Sequence, residues 1–313
     1  RIHVKHVRTC RIKKDLAWSV IVIIRPNLLV QSPIENRPSA CDNVILQNSS
    51  LIALNLMTAN TVKVAIAQMN SIVGDLVGNA QQIVAYVSRA AAQSADIVVT
   101  PELSLVGYPP EDLLLRTAFY QQTQAALQKL TSDLQQFQNI YVLVGHPLAQ
   151  DGYHYNAISV LLNGAIIHTY LKHALPNDAV FDEKRYFVTG DQAVVFEVKG
   201  TRFGINICED VWNGDAPQLA RAAGAQVLLA PNASPFHMNK SDFRIEVMRR
   251  NISALGMSLV YANLLGGQDE LIFDGNSFVL DQEGQVCAQL KHCEADLQIV
   301  DFIDGVPQAV VVE

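Results

Sequence analysis

After Met57, short apolar runs alternate along the chain with segments of helical spacing. The runs have the length of strands buried in a sheet, and the segments between them repeat apolar residues every three or four positions. The predicted strands are 62–69, 96–100, 140–144, 157–162, 165–171, 194–198, 203–208, 227–230, 258–262, 278–280 and 286–290. The predicted helices are 79–95, 109–135, 215–223 and 240–255. A chain that carries both periods is predicted to fold as an α/β protein.

Tight-turn signals interrupt this alternation at three places. Asn163-Gly164, Lys199-Gly200 and Glu283-Gly284 each lie between two apolar runs. Such turns favour antiparallel hairpins, whereas strands joined through helices favour parallel pairing. Both connections occur, so mixed sheets are predicted. Two sheets covered by helices fit the number of elements better than one doubly wound sheet.

The first 56 residues differ from the rest in charge and in pattern. They hold 8 Lys+Arg and 3 Asp+Glu, a net charge of +5, which leaves −12 for residues 57–313 of a chain whose total is −7. No sustained strand or helix period runs through them. One interpretation is a targeting segment, with basic residues up to Lys14 and an apolar stretch at 16–24. The other is an extension upstream of the true start.

The extension is the favoured interpretation, because no small-residue cleavage site follows the apolar stretch closely. We expect 1–56 to be poorly packed and dispensable for folding and activity. We expect 57–313 to form the functional domain.

Composition argues against several classes of protein. The pI is about 5.6, whereas a nucleic-acid binder needs clustered positive charge. The longest apolar run has nine residues, and a membrane-spanning helix needs about 20. Five cysteines, an odd number, favour a reducing compartment over a disulfide scaffold, so we expect a cytoplasmic location. Cys287, His292 and Cys293 lack the spacing of a zinc site, and no metal is predicted.

Three chemically different side chains each stand at the end of a predicted strand. Cys208 precedes a polar turn, and this placement resembles that of a nucleophile on an elbow. Glu102 could serve there as a base, and Lys172 supplies a cation. Taken singly, each has an ordinary explanation: a small buried hydrophobe, a solvated acid and a surface lysine. Together they offer a nucleophile, a carboxylate and a positive charge where side chains can converge.

The runs around these residues resemble the three signature blocks of the nitrilase, or carbon–nitrogen hydrolase, superfamily, in the same order. The blocks are Pro101-Glu102-Leu103, Lys172-His173-Ala174-Leu175-Pro176-Asn177 and Ile207-Cys208-Glu209-Asp210. Longer runs resemble the amino-terminal glutaminase domain of glutamine-dependent NAD synthetases, at 106–113, 180–187, 208–212 and 232–236. The similarity covers about residues 61–302. It implies a four-layer αββα sandwich with two mixed sheets.

The resemblance also implies catalytic roles. Cys208 would attack the side-chain amide carbon of glutamine, and Glu102 would take the thiol proton and pass it to the departing ammonia. Lys172 would stabilise the oxyanion, a role worth about 3–4 kcal/mol for one donor. Water would then hydrolyse the thioester. Glu183 stands where a second carboxylate is expected, to hold Lys172 or to position water; the alternative is a surface partner for a neighbouring basic residue.

Substrate-binding positions of the family are matched by Tyr108, Glu209 and Ser234. Asp178 departs from the pattern, because the family usually has Tyr-Gly where this chain has Asp178-Ala179. Aspartate cannot stack on a substrate as tyrosine does, although it could pair with the substrate amino group. Glutamine and another small amide or nitrile therefore both stay open as substrates.

The resemblance implies no cofactor for the hydrolase part itself. ATP and Mg would belong to a synthetase half, which needs a Ser-Gly-Gly-x-x-(Asp)-Ser phosphate loop that this sequence lacks. We therefore expect either a glutaminase that supplies ammonia to a synthetase domain or subunit, or a free-standing amidase or nitrilase. A non-catalytic interaction module on the same fold is a third possibility, disfavoured because Glu102, Lys172 and Cys208 are all present.

One predicted helix favours self-association. Residues 240–255 carry apolar positions and a basic edge that includes Arg244, Arg249 and Arg250. Related folds commonly associate through such helices, so the resemblance implies a homo-oligomer. The basic residues are predicted to lie on a solvated or interface face.

Overall fold

The computed structural model describes residues 8–14, 17–23, 60–212 and 214–310. Contacts divide the chain between Leu56 and Met57 into two units. In the first unit, β1 (Arg8–Lys14) and β2 (Ala17–Ile23) pair as an antiparallel hairpin, in a segment for which the sequence predicts no element. Most of 1–56 lies outside the described residues, so the expectation that this segment is poorly packed stays a prediction.

The second unit contains two large sheets, one small hairpin and helices that connect strands along the chain. The strands are β3 (Thr61–Gln68), β4 (Ile97–Val99), β5 (Tyr141–Gln150), β6 (Tyr153–Leu162), β7 (Ala165–Leu171), β8 (Val195–Val198), β9 (Thr201–Ile205), β10 (Val227–Asn232), β11 (Ser258–Asn263), β12 (Leu265–Gln268), β13 (Leu271–Asp274), β14 (Phe278–Leu280), β15 (Val286–Gln289), β16 (Asp296–Ile303) and β17 (Val306–Pro307).

The helices of this unit are α1 (Leu76–Ala91), α2 (Thr117–Asp133), α3 (Asp215–Ala222) and α4 (Lys240–Ser253). Short 3₁₀ turns cover Glu111–Leu115, Leu134–Gln136, Glu183–Arg185 and Cys208–Val211. In the part of the chain that the structure describes, no helix has the length and apolar character needed to cross a membrane.

Both large sheets have a parallel centre and antiparallel edges. The first has the order β17-β16-β3-β4-β5-β6-β7, and the second has the order β15-β14-β11-β10-β9-β8. The parallel pairs are β3 with β4, β4 with β5, β9 with β10 and β10 with β11. The prediction of two mixed sheets is therefore confirmed.

Strand alternation builds the layers. In β3, Val62, Val64 and Ile66 join the core between the two sheets, whereas Ala65 and Ala67 pack in the cluster that contains residues of α1 and α2. The outer face of the second sheet packs in the same way with residues of α3 and α4. Because side chains alternate across a strand, both sheets bury both faces. The result is the αββα sandwich that the resemblance implies.

The turn signals form the predicted hairpins. At Asn163-Gly164 both residues have positive φ (51° and 81°), and Leu162 pairs with Ala165 across the turn. Lys199-Gly200 has the same form between β8 and β9. Such turns need φ > 0 at both central residues. Glu283-Gly284 lies in a longer connection between β14 and β15.

The predicted helix at 109–135 is wrong in its first turns. Residues Glu111–Leu115 form a 3₁₀ turn, and Arg116 is extended (φ −102°, ψ 114°) before α2 begins. Tertiary packing explains the interruption, because Leu114 of the short turn is buried in a cluster with Tyr108 and Phe187. The pairs β12–β13 and β16–β17 are elements that the sequence did not predict.

A substitution at Ala179 tests the departure from the family's Tyr-Gly pair. Ala179 has φ of 55°, a conformation that costs an L-residue about 1–2 kcal/mol and glycine almost nothing. Ala179→Gly should therefore raise the free energy of unfolding by up to about 1 kcal/mol in denaturant titrations. The control is Ala125→Gly, at an exposed position in the middle of α2, where we expect a loss of about 0.5–1 kcal/mol. Equal losses at both positions would contradict strain at Ala179.

Candidate active site

A buried lysine lies between two buried carboxylates. Lys172 follows β7, and its side chain is 1% exposed. Its Nζ donates to Oε1 of Glu102 at 2.7 Å, and to Oε1 and Oε2 of Glu183 at 2.8 and 2.9 Å. Burial by itself lowers the pKa of the ammonium, but the Glu102 and Glu183 carboxylates outweigh it, so the pKa lies well above its ordinary value. Lys172 is thus a permanent positive charge.

Glu102 is held in one orientation by donors on both of its carboxylate oxygens. It lies in the turn after β4 and is fully buried. Besides the ammonium, Oε1 accepts a hydrogen bond from Nδ2 of Asn156 at 2.8 Å. Oε2 accepts one from the backbone N–H of Ala233, just after β10, at 3.0 Å. These contacts join the carboxyl-terminal edges of the two sheets, where ligands of open α/β sheets usually bind.

Cys208 begins the 3₁₀ turn that follows β9. Its φ is 43°, a strained conformation of the kind that places a nucleophile on a sharp turn. Burial raises the pKa of the thiol well above its ordinary value, and the Glu102 carboxylate raises it further, while the Lys172 ammonium and the Ala233 amide lower it. The raised pKa favours the thiol form, and a nucleophilic role would require a base.

Glu183 faces the interior, so the alternative of a surface partner is wrong. It is 5% exposed, and its Oε1 also accepts a hydrogen bond from the Tyr108 hydroxyl at 3.0 Å. Its neighbour Arg185 pairs instead with Asp112 at 2.9 Å. Burial, with a smaller contribution from Glu102 and against the effect of Lys172, raises the pKa of Glu183 to about 7.

Tyr108 shapes a small cavity beside this cluster. Its ring packs against Phe181 and Phe273, and its hydroxyl bonds to Glu183. Tyr108, Phe181 and Glu183 line a cavity of about 20 Å³, which is room for about one water molecule. Tyr108 therefore lies at the site.

The other three predicted substrate-binding residues differ in placement. Glu209 is half-buried next to Cys208, and its charge contributes to the raised pKa of that thiol. Ser234 is buried, and its Oγ accepts a hydrogen bond from Nε of Arg244 at 3.2 Å. Asp178 is exposed, and it is not among the residues that bond to Lys172, Glu102 or Glu183. The structure thus gathers Glu102, Lys172, Glu183, Cys208, Tyr108, Glu209 and Ser234 at one end of the sheets, with Asp178 at the surface.

Asp210 is a supporting residue that sequence reasoning quoted without assigning a role. Its Oδ1 accepts hydrogen bonds from the backbone N–H groups of His173 and Ala174 at 3.0 and 2.7 Å. Its Oδ2 accepts from the Ile207 N–H at 2.9 Å and from the Tyr170 hydroxyl at 2.8 Å. One buried carboxylate therefore joins the chain after Lys172 to the turn that holds Cys208.

Asp210→Asn should weaken both activity and stability. The amide nitrogen of asparagine is a donor, so at least one side of the residue would face backbone N–H groups that need an acceptor. We expect a loss of about 2–3 kcal/mol in the free energy of unfolding and a fall in the rate of amide hydrolysis. Thermal unfolding and ammonia release measure the two effects. Wild-type values for both would show that Asp210 does not hold the two turns together.

The prediction that Arg244 belongs to a basic edge of α4 is wrong. Its side chain is 1% exposed and pairs with the buried Asp274, so it is on neither a solvated nor an interface face. Its position in the sequence could have indicated this burial. Arg244 lies three and four positions before Val247 and Met248, which are buried, and residues at that spacing share one face of a helix. Arg250 is exposed, as predicted. The homo-oligomer stays a prediction, which the mass in solution would check.

The fold and the cluster together define the class of this protein. An αββα sandwich whose strand ends bring a buried cysteine beside a lysine held by two glutamates is the arrangement expected of a nitrilase-type enzyme. The family model described as carbon–nitrogen hydrolase matches residues 63–304. The chain belongs to the carbon–nitrogen hydrolase family of enzymes.

Relatives within this family are glutamine-dependent NAD(+) synthetases. The one from Acinetobacter baylyi is 38% identical over 241 residues, covering 77% of this chain and 44% of that protein. The one from Xanthomonas campestris is 42% identical over 253 residues, covering 80% of this chain and 45% of that protein. The chain thus spans less than half the length of these relatives.

Solved structures show the same fold. The glutamine-dependent NAD+ synthetase of Acinetobacter baumannii, in complex with ADP, aligns with a TM-score of 0.76 and 36% identity over 81% of this chain and 48% of that one. A mutant of the Nesterenkonia AN1 amidase, from the nitrilase superfamily, aligns with a TM-score of 0.69 and 25% identity over 79% of this chain and 92% of that one.

Proposed function

We propose that this chain hydrolyses the side-chain amide of glutamine through a cysteine thioester, as the ammonia-supplying part of a glutamine-dependent NAD synthetase. The observation that carries the proposal is the buried Glu102–Lys172–Glu183 cluster, in which the charges of Glu102 and Lys172 act on the Cys208 thiol. The similarity to glutamine-dependent synthetases supports glutamine as the substrate.

The chemistry begins with the thiol proton. Glu102 accepts it, and Sγ of Cys208 attacks the amide carbon to form a tetrahedral oxyanion beside the Lys172 ammonium. As the C–N bond breaks, Glu102 returns the proton to the leaving nitrogen, which departs as ammonia. Water then attacks the thioester, and glutamate and the free thiol form. The balance is glutamine and water to glutamate and ammonia.

Lys172 must release a donor to serve the oxyanion. An ammonium has three N–H donors, and three contacts to Glu102 and Glu183 use them in the resting site. Proton transfer from the thiol neutralises Glu102, which weakens its hold on Nζ at the step when the oxyanion forms. Glu183 keeps the ammonium in place through two contacts. The second carboxylate therefore has a positioning role in this mechanism.

The ammonia acceptor would be a synthetase domain or subunit. ATP and Mg would act there, because the reaction proposed for this chain needs only substrate and water. The lengths of the relatives support this arrangement, since more than half of each synthetase lies outside the matched region.

A second candidate function is the hydrolysis of another small amide or nitrile. Asp178 favours it, because an exposed aspartate replaces the tyrosine that helps to form the glutamine pocket in the family. The similarity to an amidase over 92% of its length is compatible with a hydrolase that acts alone.

Ammonia release from purified full-length chain distinguishes the two. L-Glutamine, L-asparagine, propionamide and butyramide are compared at matched concentrations, with the Cys208→Ala variant as background. The proposed function predicts a kcat/KM for glutamine at least about tenfold above that for the aliphatic amides, which corresponds to about 1.4 kcal/mol of transition-state discrimination. The reverse order would support the second candidate and overturn the first.

A further inference from the structure

A buried arginine holds the backbone beside Glu102. Arg244 lies on α4, and its Nη2 donates to the carbonyl oxygens of Ser234 and Pro235 at 2.7 and 3.0 Å. Its Nε donates to Oγ of Ser234 at 3.2 Å. Its Nη1 contacts both carboxylate oxygens of Asp274 at 2.8 and 3.1 Å. These contacts equal in number the five N–H donors of a guanidinium.

Arg244 and Asn263 together form hydrogen bonds with every polar atom of Ser234. Its N–H donates to Oδ1 of Asn263 at 2.9 Å, and Nδ2 of Asn263 donates to its carbonyl oxygen at 3.3 Å. The carbonyl and hydroxyl oxygens also accept from Arg244. The preceding residue, Ala233, has its N–H aimed at Oε2 of Glu102 at 3.0 Å. The Leu264 N–H holds the other end of the same peptide through the Asn232 carbonyl at 3.0 Å. The direction of the Ala233 N–H therefore depends on that strand contact on one side and on the segment that Arg244 holds by hydrogen bonds on the other.

The energetic cost of this arrangement argues for a purpose beyond folding. Arg244 stands on the buried face of α4 with Val247 and Met248, which pack in an apolar cluster. Placing a charged pair in such a position costs desolvation that the pairing often fails to recover. The planar guanidinium group of arginine can donate to a hydroxyl, two carbonyls and a carboxylate at once, and an apolar residue cannot.

We propose that Arg244 and Asp274 are a positioning pair for the acid–base step: they set the direction of the Ala233 amide, which holds the Glu102 carboxylate where it can accept the Cys208 proton. The pair acts through backbone and touches neither substrate nor thiol. This inference rests on the proposed cysteine mechanism, although it does not depend on which amide is the substrate.

The test is Arg244→Lys in the full-length chain. Lysine keeps the charge, but a single Nζ cannot reach Asp274, the Ser234 hydroxyl and both carbonyls together. The matched control is Arg249→Lys on the same helix, because Arg249 also combines a carbonyl contact with an ion pair, to Gly284 at 2.8 Å and Glu246 at 2.7 Å. Its partners lie away from Ala233.

The main readout is the pH dependence of alkylation at Cys208 by iodoacetamide, followed on the Cys208 peptide by mass spectrometry. The Ala233 amide lowers the pKa of the Cys208 thiol, so its displacement in Arg244→Lys should move the midpoint to higher pH and lower the rate at pH 7 about tenfold, the effect of weakening one hydrogen bond to a charged group. We expect the fall in kcat to exceed any rise in KM, which would come from Ser234, the substrate-binding candidate that Arg244 also contacts. Arg249→Lys should match wild type in each measurement.

Asp274→Asn tests the other member of the pair. Asparagine keeps the size of the side chain and one acceptor oxygen, so we expect a folded protein whose alkylation midpoint shifts in the same direction by a smaller amount. A wild-type alkylation profile in both variants would overturn the proposal, as would equal shifts in Arg244→Lys and Arg249→Lys. Alkylation needs no substrate. If the wild-type chain fails to hydrolyse glutamine while the two variants show these shifts, the proposed function is refuted and the positioning pair is supported.

Discussion

Replacing Cys208 with alanine should abolish amide hydrolysis and leave the fold intact. The thiol is the group that attacks the amide carbon in the proposed reaction, and its removal prevents the thioester. Losses on removing a nucleophile reach about 10⁴–10⁶ in kcat, and ammonia release should fall to the background rate. Alanine fills most of the place of the buried thiol, and we expect the free energy of unfolding to change by less than about 1.5 kcal/mol.

The control for this variant is Cys293→Ala. Cys293 is a free and exposed cysteine, and it bonds through its backbone N–H to the Asp274 carbonyl, a contact that alanine retains. This substitution should leave ammonia release unchanged. Substantial hydrolysis by Cys208→Ala would contradict the thioester mechanism, although it would not contradict the fold.

Removing the charge of Lys172 should cost both activity and stability. Lys172→Met keeps the length of the side chain but leaves Glu102 and Glu183 buried without their cation. Breaking a buried ion pair by removing one partner costs about 3–5 kcal/mol. Hydrolysis should also be lost, because the oxyanion would form without its positive partner. Chemical denaturation and ammonia release measure the two effects.

The stability deficit of Lys172→Met should depend on pH in a definite direction. The pKa of Glu183 is already raised to about 7, and without the ammonium burial raises it further above the value of about 4.3 for glutamate in an unfolded chain. A raised folded-state pKa means that stability falls as the pH rises above the unfolded value. The deficit should therefore shrink as the pH is lowered from 7 to 5, where the unpaired Glu183 carboxyl group takes up a proton.

Lys129→Met is the matched control for that substitution. The Lys129 side chain is 76% exposed and pairs with Asp133 on the surface of α2, so its loss should cost less than about 0.5 kcal/mol. Similar deficits at positions 172 and 129, or a deficit at 172 that grows on acidification, would contradict the buried charge cluster.

Local sequence determined most of the strands and the tight hairpins. Apolar runs such as the one at 227–230 became buried strands, because burial of both faces leaves an uninterrupted apolar pattern. Asn163-Gly164 formed its predicted turn, because the conformation depends on two adjacent residues. The prediction of one helix over 109–135 was wrong as far as Arg116, because packing of residues distant in sequence overrides the local helical preference.

Sequence also nominated Glu102, Lys172 and Cys208, through their positions at strand ends and through the family's signature blocks. What it left open for Glu183 was decided by the fold, which turns that carboxylate inward to Lys172. Asp178, nominated beside the same blocks, lies at the surface instead. Both residues lie in the connection between β7 and β8, where no strand or helix period marks which side chains face inward, so sequence could not distinguish them.

Only the tertiary structure showed what holds the reacting groups in place. Ala233 donates to Glu102 across 131 residues of sequence, and Arg244 and Asp274 meet from different elements to hold the segment beside it. A hydrogen bond between such residues leaves no periodicity and no spacing, because it depends on the order of strands in two sheets. Sequence therefore identified the groups that we propose carry the chemistry, and the packing of the sheets and α4 decided how those groups face one another.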